Sequence, residues 1–120
     1  MHMKNKIFFM ALVAILSFTF SSCSKTELNY PALYVVNSSN YLADVYCDNH
    51  FITTTTAHGN SGKVVMNNVS INLPVLVEVY FYDSKHNYVG KVNWKNYYFK
   101  WNKNYKLTIF SSSQAQLQQY

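Results

Sequence analysis

Between Val75 and Trp94, two runs of alternating side chains face each other in a register that a single pairing satisfies. Val75, Val77, Val79 and Phe81 alternate with Leu76, Glu78, Tyr80 and Tyr82. After Lys85-His86, Tyr88, Gly90, Val92 and Trp94 alternate with Val89, Lys91 and Asn93. A two-residue turn at Lys85-His86 sets Phe81 opposite Gly90, Val79 opposite Val92 and Val77 opposite Trp94, which leaves one apolar face. A slip of one residue would bring Lys91 and Asn93 against the valines, so the pattern selects its own register. Gly90 is expected to make room for the Phe81 ring.

The same style of sequence continues on both sides. From Pro31 to Phe110 the chain is rich in Val, Ile, Thr, Tyr and Phe, and turn residues recur every eight to twelve positions. That spacing predicts an all-β fold, a small antiparallel sandwich of about seven or eight strands. Tyr41–Cys47 and His50–Thr56 form a second hairpin around Asp48-Asn49, with the inward face left open between a two-residue and a three-residue loop. Ala32–Val36 precedes it. His58 to Gly62 reads as a loop, followed by a strand over Lys63–Val69 and further strand over Ser70–Leu73. A third hairpin is expected from Tyr97–Trp101 and Tyr105–Phe110 around Asn102-Lys103-Asn104, pairing Trp101 with Tyr105, Phe99 with Leu107 and Tyr97 with Ile109. Its outer face then carries Tyr98, Lys100, Lys106 and Thr108. Lys100 lies across from Lys106, a like-charge pair that costs a few tenths of a kcal/mol up to ~1. Ser111 to Tyr120, rich in Ser and Gln, is expected to fray as a flexible polar tail.

The first residues have another character. Lys4 and Lys6 form a basic head, Ile7 to Leu16 is almost unbroken apolar chain, and Ser21-Ser22 lead into Cys23. The apolar run is shorter than the ~20 residues that span a bilayer, and suits the hydrophobic part of an export signal. Phe20-Ser21-Ser22-Cys23 resembles the lipobox of bacterial lipoproteins, with Phe20 where leucine is usual. The resemblance implies cleavage before Cys23, acylation of its thiol, and a membrane partner reached through that lipid. Ser24, where an aspartate would retain the protein at the inner membrane, implies the outer membrane. The expected organisation is a signal peptide over 1–22, a tether over 23–30, the sandwich over 31–110 and the tail over 111–120.

After such cleavage eight lysines face five acids, a net charge of +3. So mild an excess argues against a nucleic-acid partner. Cys47 would be left without a disulfide partner, and a free thiol in an oxidising envelope is expected in the core. Cys47-x-x-His50 with His58 and His86 lacks the second close pair that tetrahedral zinc needs, so no metal is expected. No catalytic motif is present and the chain contains no arginine. Glu78 reads as a lone exposed carboxylate, short of the pair that glycoside hydrolysis requires. The expected function is therefore non-catalytic and without a cofactor.

Eleven tyrosines and two tryptophans exceed what so small a core can bury. Parity puts Tyr80, Tyr82 and Tyr98 outside, where tyrosine offers rigid contact area to a protein or a sugar. Candidate partner-binding residues are Tyr98, Lys100, Lys103, Lys106, Tyr80 and Tyr82. The lysines are read either as protection of a sheet edge or as contacts to an acidic partner or to membrane phosphates.

Two further likenesses bear on function. Tyr34 to Ser39 followed by Ala43 to Ile52, turning at Asp48-Asn49, resembles the strand–turn–strand of PEGA-type and transthyretin-like β-sandwich modules. This implies a binding or spacer module of the cell envelope. Tyr46-Cys47-Asp48-Asn49 is similar to the opening of membrane-bound inhibitors of C-type lysozyme, which insert a serine-glycine loop into the enzyme; Ser61-Gly62 would be that loop. The leading expectation is a membrane-anchored lipoprotein that binds or scaffolds an envelope assembly. An inhibitor of a cell-wall hydrolase and a carbohydrate-binding module are the alternatives.

Overall fold

A computed structural model describes residues 27–120. Eight strands are present among the described residues: β1 (Ala32–Asn37), β2 (Leu42–Cys47), β3 (His50–Thr55), β4 (Asn60–Val65), β5 (Pro74–Tyr82), β6 (Tyr88–Tyr98), β7 (Asn104–Ser111) and β8 (Gln114–Gln119). They form two four-stranded sheets, ordered β4-β1-β7-β8 and β3-β2-β5-β6, packed as a sandwich. All pairings are antiparallel except β1 with β7. The expected fold class is the one observed.

Alternation places the core. Leu33 and Val35 of β1 and Tyr105, Leu107 and Ile109 of β7 point inward from one sheet. Ala43, Val45 and Cys47 of β2 meet them from the other, with Val75, Val77, Val79 and Phe81 of β5. Val92 and Trp94 pack against this centre, while Met66, Val69 and Phe99 close it from the connecting segments. The β5–β6 register is the expected one: Phe81 opposite Gly90, Val79 opposite Val92 and Val77 opposite Trp94. Its turn is longer than two residues. Asp83 to Asn87 forms the loop, in which the Asp83 carboxylate accepts the Lys85 and Asn87 amides at 2.9 Å each. Gly90 does not serve the Phe81 ring, because a Cβ there would meet only the Ser112 carbonyl at an ordinary 3.7 Å.

The Asp48-Asn49 turn resolves the open face of β2. Both residues have positive φ, 48° and 65°, as a two-residue type I′ turn requires. Cys47 therefore opposes His50, and Ala43, Val45 and Cys47 face the core while Leu42, Asp44 and Tyr46 face out. Asp48 also joins the turn to β5, since its Oδ1 accepts the Leu76 amide at 2.9 Å and its own amide donates to the Leu76 carbonyl at 2.8 Å.

Further expectations are corrected. The hairpin of Tyr97–Trp101 with Tyr105–Phe110 does not form. Instead β6 runs on to Tyr98 to match the full length of β5, with Val75 opposite Tyr97 and Pro74 opposite Tyr98. Phe99 then drops into the core and the chain crosses to the other sheet, where β7 pairs with β1 and β8. Lys106 consequently lies between Tyr34 and Gln118, and the like-charge contact with Lys100 is absent. The segment 111–120 is not a loose tail. Ala115 and Leu117 alternate with Gln114, Gln116 and Gln118, and this period of two builds β8 with the apolar pair against the core. The sandwich therefore extends beyond residue 110. Finally, Ser61 and Gly62 are part of β4, where the Ser61 hydroxyl accepts the Val35 amide at 2.8 Å, and Ser70–Leu73 is a bend rather than a strand.

The connections sort into two ends. The segment up to Pro31, the Asp48-Asn49 turn, the 66–73 connection and the 99–103 crossover gather at one end. The 38–41, 56–59 and 83–87 connections and the Ser112-Ser113 turn gather at the other. At that second end Asn37, 1% exposed, uses its whole side chain. Its Nδ2 donates to the Tyr41 and Thr56 carbonyls at 2.8 and 3.1 Å, and its Oδ1 accepts the Ser39 amide and hydroxyl at 3.0 and 2.7 Å. One buried amide thus fixes the ends of three strands.

Candidate functional site

The outer face of the β3-β2-β5-β6 sheet collects aromatic side chains around one carboxylate. Register fixes the grid. Leu42, Tyr82 and Tyr88 form one row, Asp44, Tyr80 and Lys91 the next, and Tyr46, Glu78 and Asn93 the third. Phe51 of β3 extends the third row beyond Tyr46. The rings touch in a chain: Phe51 to Tyr46 at 5.7 Å, Tyr46 to Tyr80 at 5.5 Å, Tyr80 to Tyr88 at 6.2 Å and Tyr88 to Tyr82 at 6.2 Å between centroids. Most meet edge to face, the arrangement that ring quadrupoles favour. Phe51 and Tyr88 are exposed, and the other three are half-buried by their neighbours.

Glu78 lies beneath this cluster. It is 5% exposed, which corrects its expected place as a solvated carboxylate. Glu78 points outward, as parity implies, but Tyr80 beside it and Tyr46 and Asn93 across from it leave it little exposed. Its Oε2 accepts the Tyr80 hydroxyl at 2.9 Å and pairs with Lys91 Nζ at 3.4 Å. Lys91 Nζ also stands 5.7 Å from the centre of the Tyr80 ring, within cation–π range. The bond to Glu78 raises the Tyr80 hydroxyl above the usual tyrosine range, and burial does the same for Tyr82. Tyr46, Asn49, Glu78, Tyr80 and Tyr82 line a shallow depression of ≈ 180 Å³. It offers ring surface, three phenol groups, the Glu78 carboxylate and an amide.

Of the residues singled out in the sequence, Tyr80 and Tyr82 belong to this site. Tyr98, Lys100, Lys103 and Lys106 do not. Tyr98 ends β6 and Lys100 and Lys103 follow it in the crossover, whereas Lys106 is on the outer face of the opposite sheet. Tyr46, Phe51, Tyr88 and Glu78 were missed. The type I′ turn at Asp48-Asn49 was the signal that could have placed Tyr46 outward. Cys23 lies outside the described residues. Cys47 is 1% exposed, and burial, with Asp48 nearby, pushes its thiol up to about 12. His58 and His86 belong to the far end from Cys47, so these residues do not converge; His58 instead contacts Asn40 at 2.8 Å. Compared with known proteins, the chain matches no family model, no curated protein and no solved structure.

Proposed function

We propose that this chain is a non-catalytic lipoprotein, held at the outer membrane through acylated Cys23, whose sandwich works as a binding module of an envelope assembly. The aromatic face around Glu78 is the observation that supports it most directly. Five contiguous rings on one sheet face, with a shielded carboxylate in their midst, make a surface suited to contact. Tyrosine supplies large area at small entropic cost, and its hydroxyl serves partners that are partly polar. The carboxylate is already engaged by Tyr80 and Lys91, an arrangement that suits recognition better than proton transfer.

Carbohydrate is the second reading, favoured by the depression over Glu78, where rings and hydrogen-bonding groups converge on a space of ≈ 180 Å³. The inhibitor reading has less behind it, because Ser61 and Gly62 lie within β4 on β1 rather than in a projecting loop. The test uses the wild-type chain and a Tyr46→Ala/Tyr88→Ala variant, each recovered from solubilised envelopes. Wild type should retain a protein partner that the variant loses, with both melting alike. Equal recovery of that partner by both would refute the aromatic face as the contact. Retention on envelope polysaccharide without a protein partner would favour the sugar reading. Cys23→Ser examines the anchor separately, and should move the protein from the membrane fraction to the soluble one.

A further inference from the structure

We propose that the end of the sandwich at which the tether arrives lies on the lipid headgroups, with Tyr30, Leu73, Tyr98 and Trp101 as its interfacial contacts and Lys63, Lys100 and Lys103 toward lipid phosphates. The inference rests on the Cys23 anchor of the preceding section and adds an orientation to it.

The tether is fastened to the domain before the first strand begins. The Asn29 amide donates to Asn102 Oδ1 at 2.7 Å and the Asn102 amide donates back to the Asn29 carbonyl at 2.8 Å. Tyr30 packs on Trp101 with ring centroids 5.1 Å apart. Fully extended, the chain from Cys23 to Leu28 reaches no more than about 18 Å, from five residues at 3.3–3.6 Å each. An acyl chain on Cys23 therefore keeps the crossover 99–103 close to the bilayer surface and leaves the domain little freedom to present its other end.

This end has the chemistry of an interfacial surface. Leu28, Tyr30, Val65, Leu73 and Tyr98 are all exposed there, half of the large apolar side chains that the described residues leave exposed. Leu73 and Tyr98 are neighbours, because Pro74 pairs with Tyr98 and the Asn72 amide donates to the Phe99 carbonyl at 2.8 Å. Leu28, Tyr30, Lys63, Val65 and Lys103 share the walls of one depression of ≈ 500 Å³. Tyrosine and tryptophan favour the headgroup level of a bilayer, and lysine beside them favours anionic lipid. Two carboxylates lie at the same end: Glu27 on the tether itself, and Asp48, whose Oδ1 is occupied by the Leu76 amide. The charge excess is thus small, and ring and aliphatic contact carries most of the attraction. With this end on the lipid, Tyr82 and Tyr88 of the aromatic face stand farthest from the membrane, open to a partner arriving from the aqueous side.

Tryptophan fluorescence tests the orientation. Trp94→Phe leaves Trp101 as the chain's sole tryptophan. The acylated protein is reconstituted into vesicles of phosphatidylethanolamine and phosphatidylglycerol whose acyl chains are brominated near the headgroup. A comparison protein carries Trp94→Phe, Trp101→Phe and Lys85→Trp, which moves the probe to the opposite end. Trp101 should be quenched several-fold more than the Lys85→Trp probe, with emission shifted to the blue. Adding Leu73→Asp and Lys103→Glu, both at exposed positions, should lower that quenching without changing the melting temperature. Equal quenching of the two probes in protein that is acylated and floats with the vesicles would overturn the orientation while leaving the anchor intact. Failure to acylate, read from the mass of the N-terminal peptide, would remove the reach argument and overturn both. Shielding of Trp101 in detergent, together with a doubled mass, would assign this end to a second copy and overturn the proposal as well.

Discussion

The Tyr80 hydroxyl donates a 2.9 Å hydrogen bond to the Glu78 carboxylate two residues before it on the outward face of β5. The bond joins the two parts of the candidate site, since it orients a ring of the exposed cluster from a group that the cluster covers. Glu78→Gln keeps the shape and removes the charge. The Tyr80 phenol should then ionise at lower pH, because the interaction that raises it most is the one removed. Phenolate absorbance in an alkaline titration reads the shift, and an unchanged curve would show that the two groups are not coupled. Stability should change little, since the partner Lys91 is well exposed and regains water.

The register of the β5–β6 hairpin predicts that Val79→Asp unfolds the domain. Val79 is fully buried between Val45 and Val92 on the neighbouring strands. An unpaired carboxylate there costs several kcal/mol, comparable with the ~5–15 kcal/mol that holds a small domain together. A soluble variant with a cooperative melt would contradict the pairing.

Asn37→Asp should be nearly as damaging, although it replaces one atom. The two Nδ2 donors to the Tyr41 and Thr56 carbonyls are lost, and an acceptor is set against acceptors in a buried place. The penalty for such unsatisfied groups is about 1–3 kcal/mol each. Urea denaturation should show a loss of at least that size, and a midpoint equal to wild type would refute the role given to this amide.

Thr55→Val works in the other direction. Thr55 Oγ1 is buried and has no hydrogen-bond partner among the described residues, opposite Ala43 in the β2–β3 pair. Replacing the hydroxyl by a methyl of similar volume removes an uncompensated polar group, and stability should rise by about 1 kcal/mol. A lower melting temperature would mean that the hydroxyl is satisfied.

Alkaline pH should destabilise the protein in part through Cys47. Burial raises this thiol to about 12 from 9.0 in the unfolded chain. The folded state therefore keeps a proton that the unfolded state releases. The stabilisation is complete below pH 9 and is lost as pH rises toward 12, at about 1.4 kcal/mol for each unit between the two values. Cys47→Ala should be less stable than wild type at neutral pH, from the lost packing, yet lose less as pH is raised from 8 to about 11. Parallel melting curves for the two proteins across that range would exclude the thiol as the source.

What could be read in advance follows from the distance over which the information acts. The β5–β6 hairpin was legible because Val77, Val79 and Phe81 find Trp94, Val92 and Gly90 within one short stretch, and any other register exposes them. The partner of β7 was not, because Leu107 can face the same core whether its neighbour is Phe99 or Val35. Inward alternation is identical in the two cases, and only the length of β5 decides how far β6 continues. The tail misled by composition: serine and glutamine dominate it, while Ala115 and Leu117 supply the period that builds a strand. At the site, Tyr80 and Tyr82 followed from parity alone. Glu78 did not, since its burial depends on the cluster around it, with Tyr80 on its own strand and Tyr46 opposite it on β2. Lys100 and Lys106 were joined by a hairpin that does not exist, and were separated once β6 was seen to run to Tyr98.

The parallel pairing of β1 with β7 has a consequence in time. Residues 32–37 find their central partner in 104–109, the whole domain away along the chain. The second edge of β1 cannot be paired until β7 has emerged, and local hairpins cannot substitute for that contact. An all-β sandwich with non-local pairings of this kind folds over milliseconds to seconds. During that interval Leu33 and Val35 remain uncovered, beside the segment that would be acylated. A chain of this topology exposes β1 from the moment it emerges, and the first strand made waits for the seventh before both of its edges are paired.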